Sequence, residues 1–438
     1  MGIPLKTGRK RRSYADYKPP KRKRPRDPFL ILLIIALIAG GLWVSANRDT
    51  MRAEITSLVD EDSNPISQLI GTQQVQDTAG SPGGSTPTAA PDETDLVNQA
   101  QEALGTGDIT RAVELYEQAA DLNPNEPSYP YQMARLLLYQ SALQYGDERD
   151  ATLEAAFQAA NRAIRSDPQS PHGYAIAGKV LDWQGQPEDG QNEVLRALEF
   201  DDSFAPAYSF LAEIQIDLQR YEEADASIQT ALSLDPQNPD VLRDYAYVLE
   251  SQTLYADAVD QYQQAIAVSP EIAFLRLALA RNYRVLTDCQ AALDELFAAE
   301  PFAQGSPVLQ FEIGVTYESC VGDLATAVQS YEQALEIDED FALAWERIGT
   351  ISYYQNDYVR TTQALGRAYE LGRDSLAINF QLGYALAQQQ QCAEAQTYLT
   401  SAQELVTEEQ EAIQDVINEA VELCSLPPST LEPETEAP

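Results

Sequence analysis

The sequence predicts an all-α protein: an α-α superhelix of about nine two-helix repeats, closed by a C-terminal helix and preceded by one transmembrane helix. Three observations support this fold class. Residues 29–46 are apolar and uncharged, small residues recur every 34 or 35 positions with one exception, and residues 408–424 form a final amphipathic stretch. The predicted segments are a basic cytoplasmic tail 1–28, a transmembrane helix 29–46, a flexible linker 47–92, the repeat solenoid 93–409, a capping helix 410–425 and a disordered acidic tail 426–438.

The N-terminal 28 residues are basic and lead directly into the apolar run. They carry eleven basic and two acidic side chains, whereas residues 29–438 carry 18 basic and 66 acidic ones. As a helix, Phe29 to Ala46 would span about 27 Å, close to the ~30 Å hydrocarbon core of a bilayer. Because positive residues stay on the cytoplasmic side, we expect a single-pass cell-membrane protein with its repeats outside the cytoplasm. Alternatives are a signal peptide cleaved after Ala46 and a reversed topology.

The segment between the apolar run and the repeats is polar, and it ends in SPGGSTPTAAPDET, residues 81–94. Such a composition buries too little apolar surface to order itself, which predicts a flexible spacer. The net charge of the whole chain is −39. Because phosphates would be repelled along most of such a surface, we predict no nucleic-acid partner.

Small residues at regular intervals define the repeat, and they form three series with the same period. One series is given in full below, and the other two begin at Ala112 and Ala119. Small side chains at fixed places allow the two helices of a repeat, and neighbouring repeats, to approach closely. The first series has spacings of 34, 44, 34, 34, 34, 34, 35 and 34 residues. It consists of Ala100, Ala134, Gly178, Ala212, Ala246, Ala280, Gly314, Gly349 and Gly383.

Three segments show the repeat motif clearly: GDITRAVELYEQAADLNPN (107–125), YADAVDQYQQAIAVSPE (255–271) and GDLATAVQSYEQALEIDED (322–340). Prolines such as Pro124 and Pro270 follow the second helices. This pattern resembles the tetratricopeptide repeat family over about residues 93–409. The resemblance implies a helical solenoid that binds peptides or proteins in a concave groove lined by the first helices of its repeats.

Two repeats depart from this pattern. The second contains ten extra residues around Gln140–Asp150, which we expect to lengthen the turn between its helices. The sixth ends early at Pro301, and we expect residues 299–307 to form an irregular turn that bends the superhelix. The final stretch has one apolar and one polar face, as a helix that covers the open end of a solenoid requires.

The four cysteines form two pairs at matching places in the repeats. Cys289 and Cys320 are 31 residues apart, and Cys392 and Cys424 are 32 apart. Since adjacent repeats stack in register, the members of each pair should lie side by side. We therefore predict two disulfides, in agreement with an oxidising location. Four buried free thiols are the alternative.

Residues on the first helices that are not expected to pack into the core predict a partner-binding groove. Its basic members are notable because residues 92–438 contain only 16 Lys and Arg, and a cationic strip would steer an acidic segment. Its aromatic members would supply apolar anchors. A mixed, half-exposed surface without a ligand is the alternative. The predicted lining is Tyr131, Arg135, Lys179, Trp183, Arg243, Tyr247, Arg281, Arg284, Phe311, Tyr354, Phe380 and Tyr384.

Catalysis finds no support in the sequence. His172 is the only histidine, and no nucleophile motif, phosphate-binding glycine loop or metal-ligand cluster is present. We therefore predict no enzyme activity, no catalytic residue, no cofactor and no metal. The predicted function is a membrane-anchored scaffold that binds protein or peptide partners in its concave groove. Alternatives are a self-associating structural envelope protein, which would be a homo-oligomer, and an accessory subunit of a membrane enzyme or export complex.

Overall fold

The computed structural model describes residues 92–407 and 410–425, which belong to one compact unit. The predicted basic tail, transmembrane helix and acidic tail lie outside these residues, as does nearly all of the predicted linker. Within the described part of the chain, no helix is both long and apolar enough to cross a membrane.

The described residues form nineteen α-helices and no β-strand. Helices α1 to α18 pack as nine successive pairs, each pair being one repeat that packs on the next, and α19 packs on the ninth. The helices are α1 Glu93–Gly105, α2 Ile109–Leu122, α3 Ser128–Ser141, α4 Gly146–Ser166, α5 Pro171–Trp183, α6 Pro187–Phe200, α7 Ala205–Asp217, α8 Tyr221–Leu234, α9 Pro239–Ser251, α10 Tyr255–Val268, α11 Ala273–Val285, α12 Cys289–Ala299, α13 Pro307–Thr316, α14 Leu324–Ile337, α15 Ala342–Tyr354, α16 Tyr358–Glu370, α17 Leu376–Gln388, α18 Cys392–Leu405 and α19 Glu411–Ser425.

The small residues of the repeat lie where helices approach most closely. Ala100, Ala134 and Ala212 are fully buried. In the third repeat, a Cβ added to Gly178 would lie 2.5 Å from the carbonyl oxygen of Gly190, so a larger residue would force α5 and α6 apart. The 34-residue period is therefore confirmed as a helix-packing period, and the predicted all-α superhelix is correct.

The extra residues of the second repeat extend its helices rather than its turn. Helix α4 has 21 residues, compared with 14 in α2 and α6, and the turn before it covers only residues 142–145. The expectation of a longer turn was wrong. Asp147 and Glu148 lie in the first turn of α4, where acidic side chains stabilise the positive end of the helix dipole.

The second repeat packs across the inside of the superhelix. The Tyr139 ring of α3 stacks on Phe274 of α11, with centroids 5.8 Å apart. The Tyr145 ring, in the turn before α4, lies 4.5 Å from that of Phe341, directly before α15. The second repeat therefore contacts the sixth and the eighth, and much of the concave face is covered by the protein itself.

The irregular turn of the sixth repeat also contacts the second repeat, and it contacts the first. Helix α12 ends at Ala299, a 3₁₀ turn follows at Glu300–Phe302, and α13 begins at Pro307. The Ser306 hydroxyl donates a hydrogen bond of 2.6 Å to the Leu143 carbonyl oxygen. A Cβ added to Gly107 would lie 2.5 Å from the Pro301 carbonyl oxygen, so the first repeat also touches this turn.

Candidate functional site

The structure gives the predicted groove cations a different role. Lys179 is fully buried, and only 4% of Arg243 is exposed. The Lys179 ammonium forms ion pairs with Glu213 and with Asp244, the latter at 2.6 Å, and the Arg243 guanidinium pairs with the same two carboxylates. Two cations and two anions thus share one buried cluster, formed by first helices of the third, fourth and fifth repeats.

The remaining predicted cations are paired as well. Arg135 of the second repeat forms an ion pair of 2.8 Å with Asp240 of the fifth repeat. Arg281 and Arg284 both pair with Glu312, at 2.8 Å each. A buried or partly buried cation needs such a partner because it has lost its water. The predicted cationic strip for an acidic segment was therefore wrong, since the protein's own carboxylates occupy it.

The pKa values in this cluster follow from burial and pairing. Burial alone would raise the pKa of Glu213, but Arg243 and Lys179 outweigh it and hold that pKa at about 2. For Asp240, Arg135 likewise overcomes the effect of burial and lowers the pKa. Both carboxylates are thus charged over the physiological range, as ion pairing requires.

Asp182 differs from its neighbours in this cluster. Burial, together with the nearby Glu213 and Asp217, raises its pKa to about 8. Neither of its carboxyl oxygens has a hydrogen-bond partner within the described residues. Asp182 is therefore largely protonated at neutral pH, and α5 carries a neutral carboxyl group beside a network of charges.

Several predicted aromatic residues also serve internal packing. Tyr131 is 6% exposed, and its ring lies 5.2 Å from that of His172. The Trp183 ring lies 5.4 Å from Phe274, while the Tyr247 hydroxyl donates a 2.8 Å hydrogen bond to Asp217. Phe311 packs edge-on against Phe341 at 5.2 Å. The predicted lining of the first seven repeats is therefore engaged in contacts within the protein, and its members are buried or partly buried. We call this face the closed surface.

Sequence reasoning missed the carboxylates that neutralise these cations. A signal was present: the residue after each small residue of the first series is Arg135, Lys179 and Glu213 in three successive repeats. Opposite charges one repeat apart at the same helical position predict ion pairs between stacked first helices. Lys179 and Glu213, 34 residues apart, form such a pair.

The last two repeats present a different concave face. Tyr354 is 71% exposed, and its ring centroid lies 5.4 Å from that of Tyr353. The Tyr353 ring in turn lies 5.9 Å from Phe380 and 5.8 Å from Tyr384, which lies 5.9 Å from Tyr358. These five rings, which we call the aromatic surface, include three predicted residues and two, Tyr353 and Tyr358, that the prediction missed.

The terminal helix supplies a charge beside this surface. The Tyr384 hydroxyl donates a 2.9 Å hydrogen bond to Glu419 of α19. Burial and this carboxylate raise the pKa of Tyr384 to about 12, so its hydroxyl stays protonated. Phe380 is only 8% exposed and forms the base of the surface, whereas Tyr354 is its most exposed ring.

Both predicted cysteine pairs lie together in the structure. The Cα atoms of Cys289 and Cys320 are 5.5 Å apart, those of Cys392 and Cys424 are 5.4 Å apart, and the sulfur atoms are within bonding distance. The first pair joins the sixth and seventh repeats, and the second joins the ninth repeat to α19. Across the described residues, no group of three or more His, Cys, Asp or Glu side chains is placed to hold a metal ion.

Comparison with known proteins finds tetratricopeptide repeats in this chain. The Tetratricopeptide repeat profile matches residues 97–171 and 211–271, and a second Tetratricopeptide repeat profile matches residues 309–341. Anaphase-promoting complex subunit 3 of Schizosaccharomyces pombe is 23% identical over 163 residues, which are 37% of this chain. Residues 97–171, 211–271 and 309–341 are therefore tetratricopeptide repeats. The chain spans about a quarter (24%) of the length of that curated relative.

Two solved structures are similar to this chain. The crystal structure of the APC/C hetero-tetramer Cut9-Hcn1 has a TM-score of 0.50 at 14% identity, over 75% of this chain and 76% of that one. The human IFIT1 dimer with m7Gppp-AAAA has a TM-score of 0.48 at 15% identity, over 72% of each chain. Such repeats imply a protein–protein interaction scaffold, and in this chain they form both the closed surface and the aromatic surface.

Proposed function

We propose that this protein is a membrane-anchored, non-catalytic scaffold that docks protein partners on the aromatic surface of its last two repeats, outside the cytoplasm. One observation carries the proposal. The aromatic surface exposes 71% of Tyr354, whereas the predicted lining of the earlier repeats is used in ion pairs and ring packing within the protein.

The composition of the aromatic surface suits protein recognition. Tyrosine offers a large apolar face and a polar hydroxyl while losing little conformational entropy on binding. The rings pack on one another and on the buried Phe380, so they are positioned before a partner arrives. Such preorganisation reduces the free-energy cost of binding.

The membrane anchor is supported by the sequence pattern alone. Residues 29–46 have the length of a bilayer-spanning helix, and the basic residues before them favour a cytoplasmic N-terminus. Two cysteine pairs at bonding distance suit an oxidising location for the repeats. From its polar composition, we expect the segment of some 45 residues before the repeats to behave as a coil with an end-to-end distance of about 35–40 Å.

Site-specific crosslinking in cells that make the protein tests the docking surface. A photoreactive phenylalanine analogue in place of Tyr354 should crosslink to a partner protein, and the additional change Phe380→Ala should reduce the yield. The same analogue in place of Tyr221, which is 52% exposed in the fourth repeat, is the matched control. Equal yields at both positions, or none at position 354, would contradict the proposal.

Cysteine labelling tests the proposed topology separately. A membrane-impermeant maleimide, added to intact cells, should label the protein only after prior reduction. That result would place the repeats outside the cytoplasm and the cysteines in disulfides. Labelling that needs cell lysis but no reduction would place the repeats in the cytoplasm and refute this part of the proposal.

A further inference from the structure

We propose that the segment bound by the aromatic surface is basic: it presents a Lys or Arg side chain against the tyrosine rings, with Glu419 as the counter-ion. This inference rests on the proposed function and names the chemistry of the partner. It reverses the sign that the sequence predicted, because the groove cations expected to attract an acidic segment are paired within the protein.

The first argument is the charge that remains for a partner. Residues 92–438 carry 16 basic and 60 acidic side chains. All sixteen basic residues lie within the described part of the chain, and thirteen of them form ion pairs there with acidic side chains. A surface with this imbalance attracts and orients cationic segments and repels acidic ones.

The second argument comes from arrangements inside the same protein. The Tyr139 hydroxyl donates to Asp240 at 2.7 Å, and Arg135 pairs with that carboxylate while lying 5.4 Å from the Tyr139 ring centroid. In the fifth repeat, Tyr247 donates to Asp217, and Arg243 lies 5.4 Å from the Tyr247 ring. A tyrosine–carboxylate pair with a guanidinium beside the ring is thus a unit that occurs twice in the closed surface, although Arg243 forms its ion pairs with Glu213 and Asp244 rather than with Asp217.

A third tyrosine–carboxylate pair with a nearby cation spans the seventh and eighth repeats. The Tyr331 hydroxyl donates to Glu318 at 2.5 Å, and Arg347 forms an ion pair with the same carboxylate. Each of these three units brings a cation to a tyrosine–carboxylate pair, so this chain uses the combination repeatedly. A ring face and a carboxylate together attract a guanidinium or ammonium group through cation–π and ionic contacts.

The aromatic surface contains the tyrosine and the carboxylate without the cation. Tyr384 donates to Glu419, as the three other tyrosines donate to their acids. Glu419 is exposed and forms no ion pair with any basic residue of the described chain. Arg347 of α15 and Arg373, which lies between α16 and α17, are paired with Glu318 and Glu346. A partner's Lys or Arg would complete the unit.

Peptide binding to the full chain in an uncharged detergent tests this inference. The probe is a fluorescein-labelled twelve-residue peptide with four Arg residues, and its matched forms carry Gln or Glu in their place. By fluorescence anisotropy, we expect the Arg peptide to bind at least tenfold more tightly than the Gln peptide, and the Glu peptide not to bind. Equal binding of the Arg and Gln peptides would overturn the inference.

Two variants distinguish binding at the aromatic surface from general attraction of the peptide by the protein's negative charge. Glu419→Gln and Tyr354→Ala should each weaken binding of the Arg peptide at least fivefold. The matched controls are Glu422→Gln, exposed on the same helix, and Tyr221→Ala, exposed in the fourth repeat. Equal losses in Glu419→Gln and Glu422→Gln would show a diffuse charge effect and overturn the inference.

The proposed function and this inference can fail separately. If position 354 crosslinks a partner but the Arg peptide does not bind, the aromatic surface is a docking site and its partner is not basic. If neither occurs, both the docking site and its chemistry are refuted. Specific binding of the Arg peptide that depends on Tyr354 and Glu419 supports both.

Discussion

The closed surface and the aromatic surface contain the same residue types but differ in exposure. The charged and aromatic residues of the closed surface contact each other within the protein, whereas the aromatic surface remains partly exposed. In the closed surface, Lys179 and Arg243 are buried beside carboxylates of neighbouring repeats. In the aromatic surface, Tyr354 is 71% exposed, and Glu419 lacks a cation within the described residues. Charged and aromatic residues on first helices therefore do not by themselves identify a binding surface. Their partners elsewhere in the fold decide whether they remain available.

The difference has its origin in the second and sixth repeats. The ten extra residues of the second repeat lengthen α3 and α4, and Tyr145 reaches Phe341 of the eighth repeat. The short sixth repeat brings Ser306 to the Leu143 carbonyl. These contacts join the second repeat to the sixth and to the start of the eighth, while Tyr354 at the end of α15 remains 71% exposed.

Breaking the buried ion cluster should have the largest effect. Lys179→Ala leaves Glu213 and Asp244 without one of their two cations inside the protein. Removal of one partner of a buried pair costs about 3–5 kcal/mol of stability. Urea unfolding followed by circular dichroism measures the loss, and Arg220→Ala, which forms no ion pair within the described residues, is the control. A stability equal to that of the control would show that the cluster does not hold the closed surface.

Opening the terminal cysteine pair should affect the aromatic surface and spare the closed one. Cys424→Ser removes the link between α18 and α19, the helix that carries Glu419. Closing a loop of this length contributes up to about 4 kcal/mol in the chain-entropy model. Hydrogen exchange should therefore accelerate in α19 and remain unchanged in α5 and α9. Cys320→Ser is the comparison, because it removes the link between the sixth and seventh repeats.

The pH dependence of stability should distinguish Asp182 from the paired carboxylates. Its pKa in the folded protein is about 8, above the usual 3.8, so the folded state holds the proton more tightly. Stability is then lost as pH rises from about 4 to about 8, by at most ~1.4 kcal/mol per pH unit. Asp182→Asn removes this loss, so its advantage over the wild type should be greater at pH 8 than at pH 5.

Unfolding curves at both pH values measure this difference. The exposed Asp202→Asn is the matched control, and its stability should follow that of the wild type at each pH. An advantage of Asp182→Asn that is the same at pH 5 and pH 8 would mean that Asp182 is already ionised in the folded protein. The network of the closed surface would then contain one more charge than its geometry indicates.

Local periodicity predicted the repeats, and long-range contacts account for the errors. The spacing from Ala100 to Gly383 gave the helix pairs, and register between adjacent repeats gave both cysteine pairs, because these features depend on contacts one repeat apart. Arg135 and Asp240 are 105 residues apart, and no repeat period relates them. The predicted groove cations therefore proved to be paired within the protein, whereas Tyr354 of the eighth repeat remains 71% exposed.

The turns between first and second helices offer the smallest and most local test. Thr253, in the closed part, has φ of 65°, and Gln390, in the ninth repeat, has φ of 60°. A β-branched residue is strained in this left-handed region, where glycine is not. Thr253→Gly should therefore stabilise the protein by about 1 kcal/mol, and Gln390→Gly by less, since its side chain is unbranched. Thermal unfolding of the two variants measures this. Equal gains would show that branching at Cβ adds no strain, and that the closed part tolerates Thr253 at no extra cost.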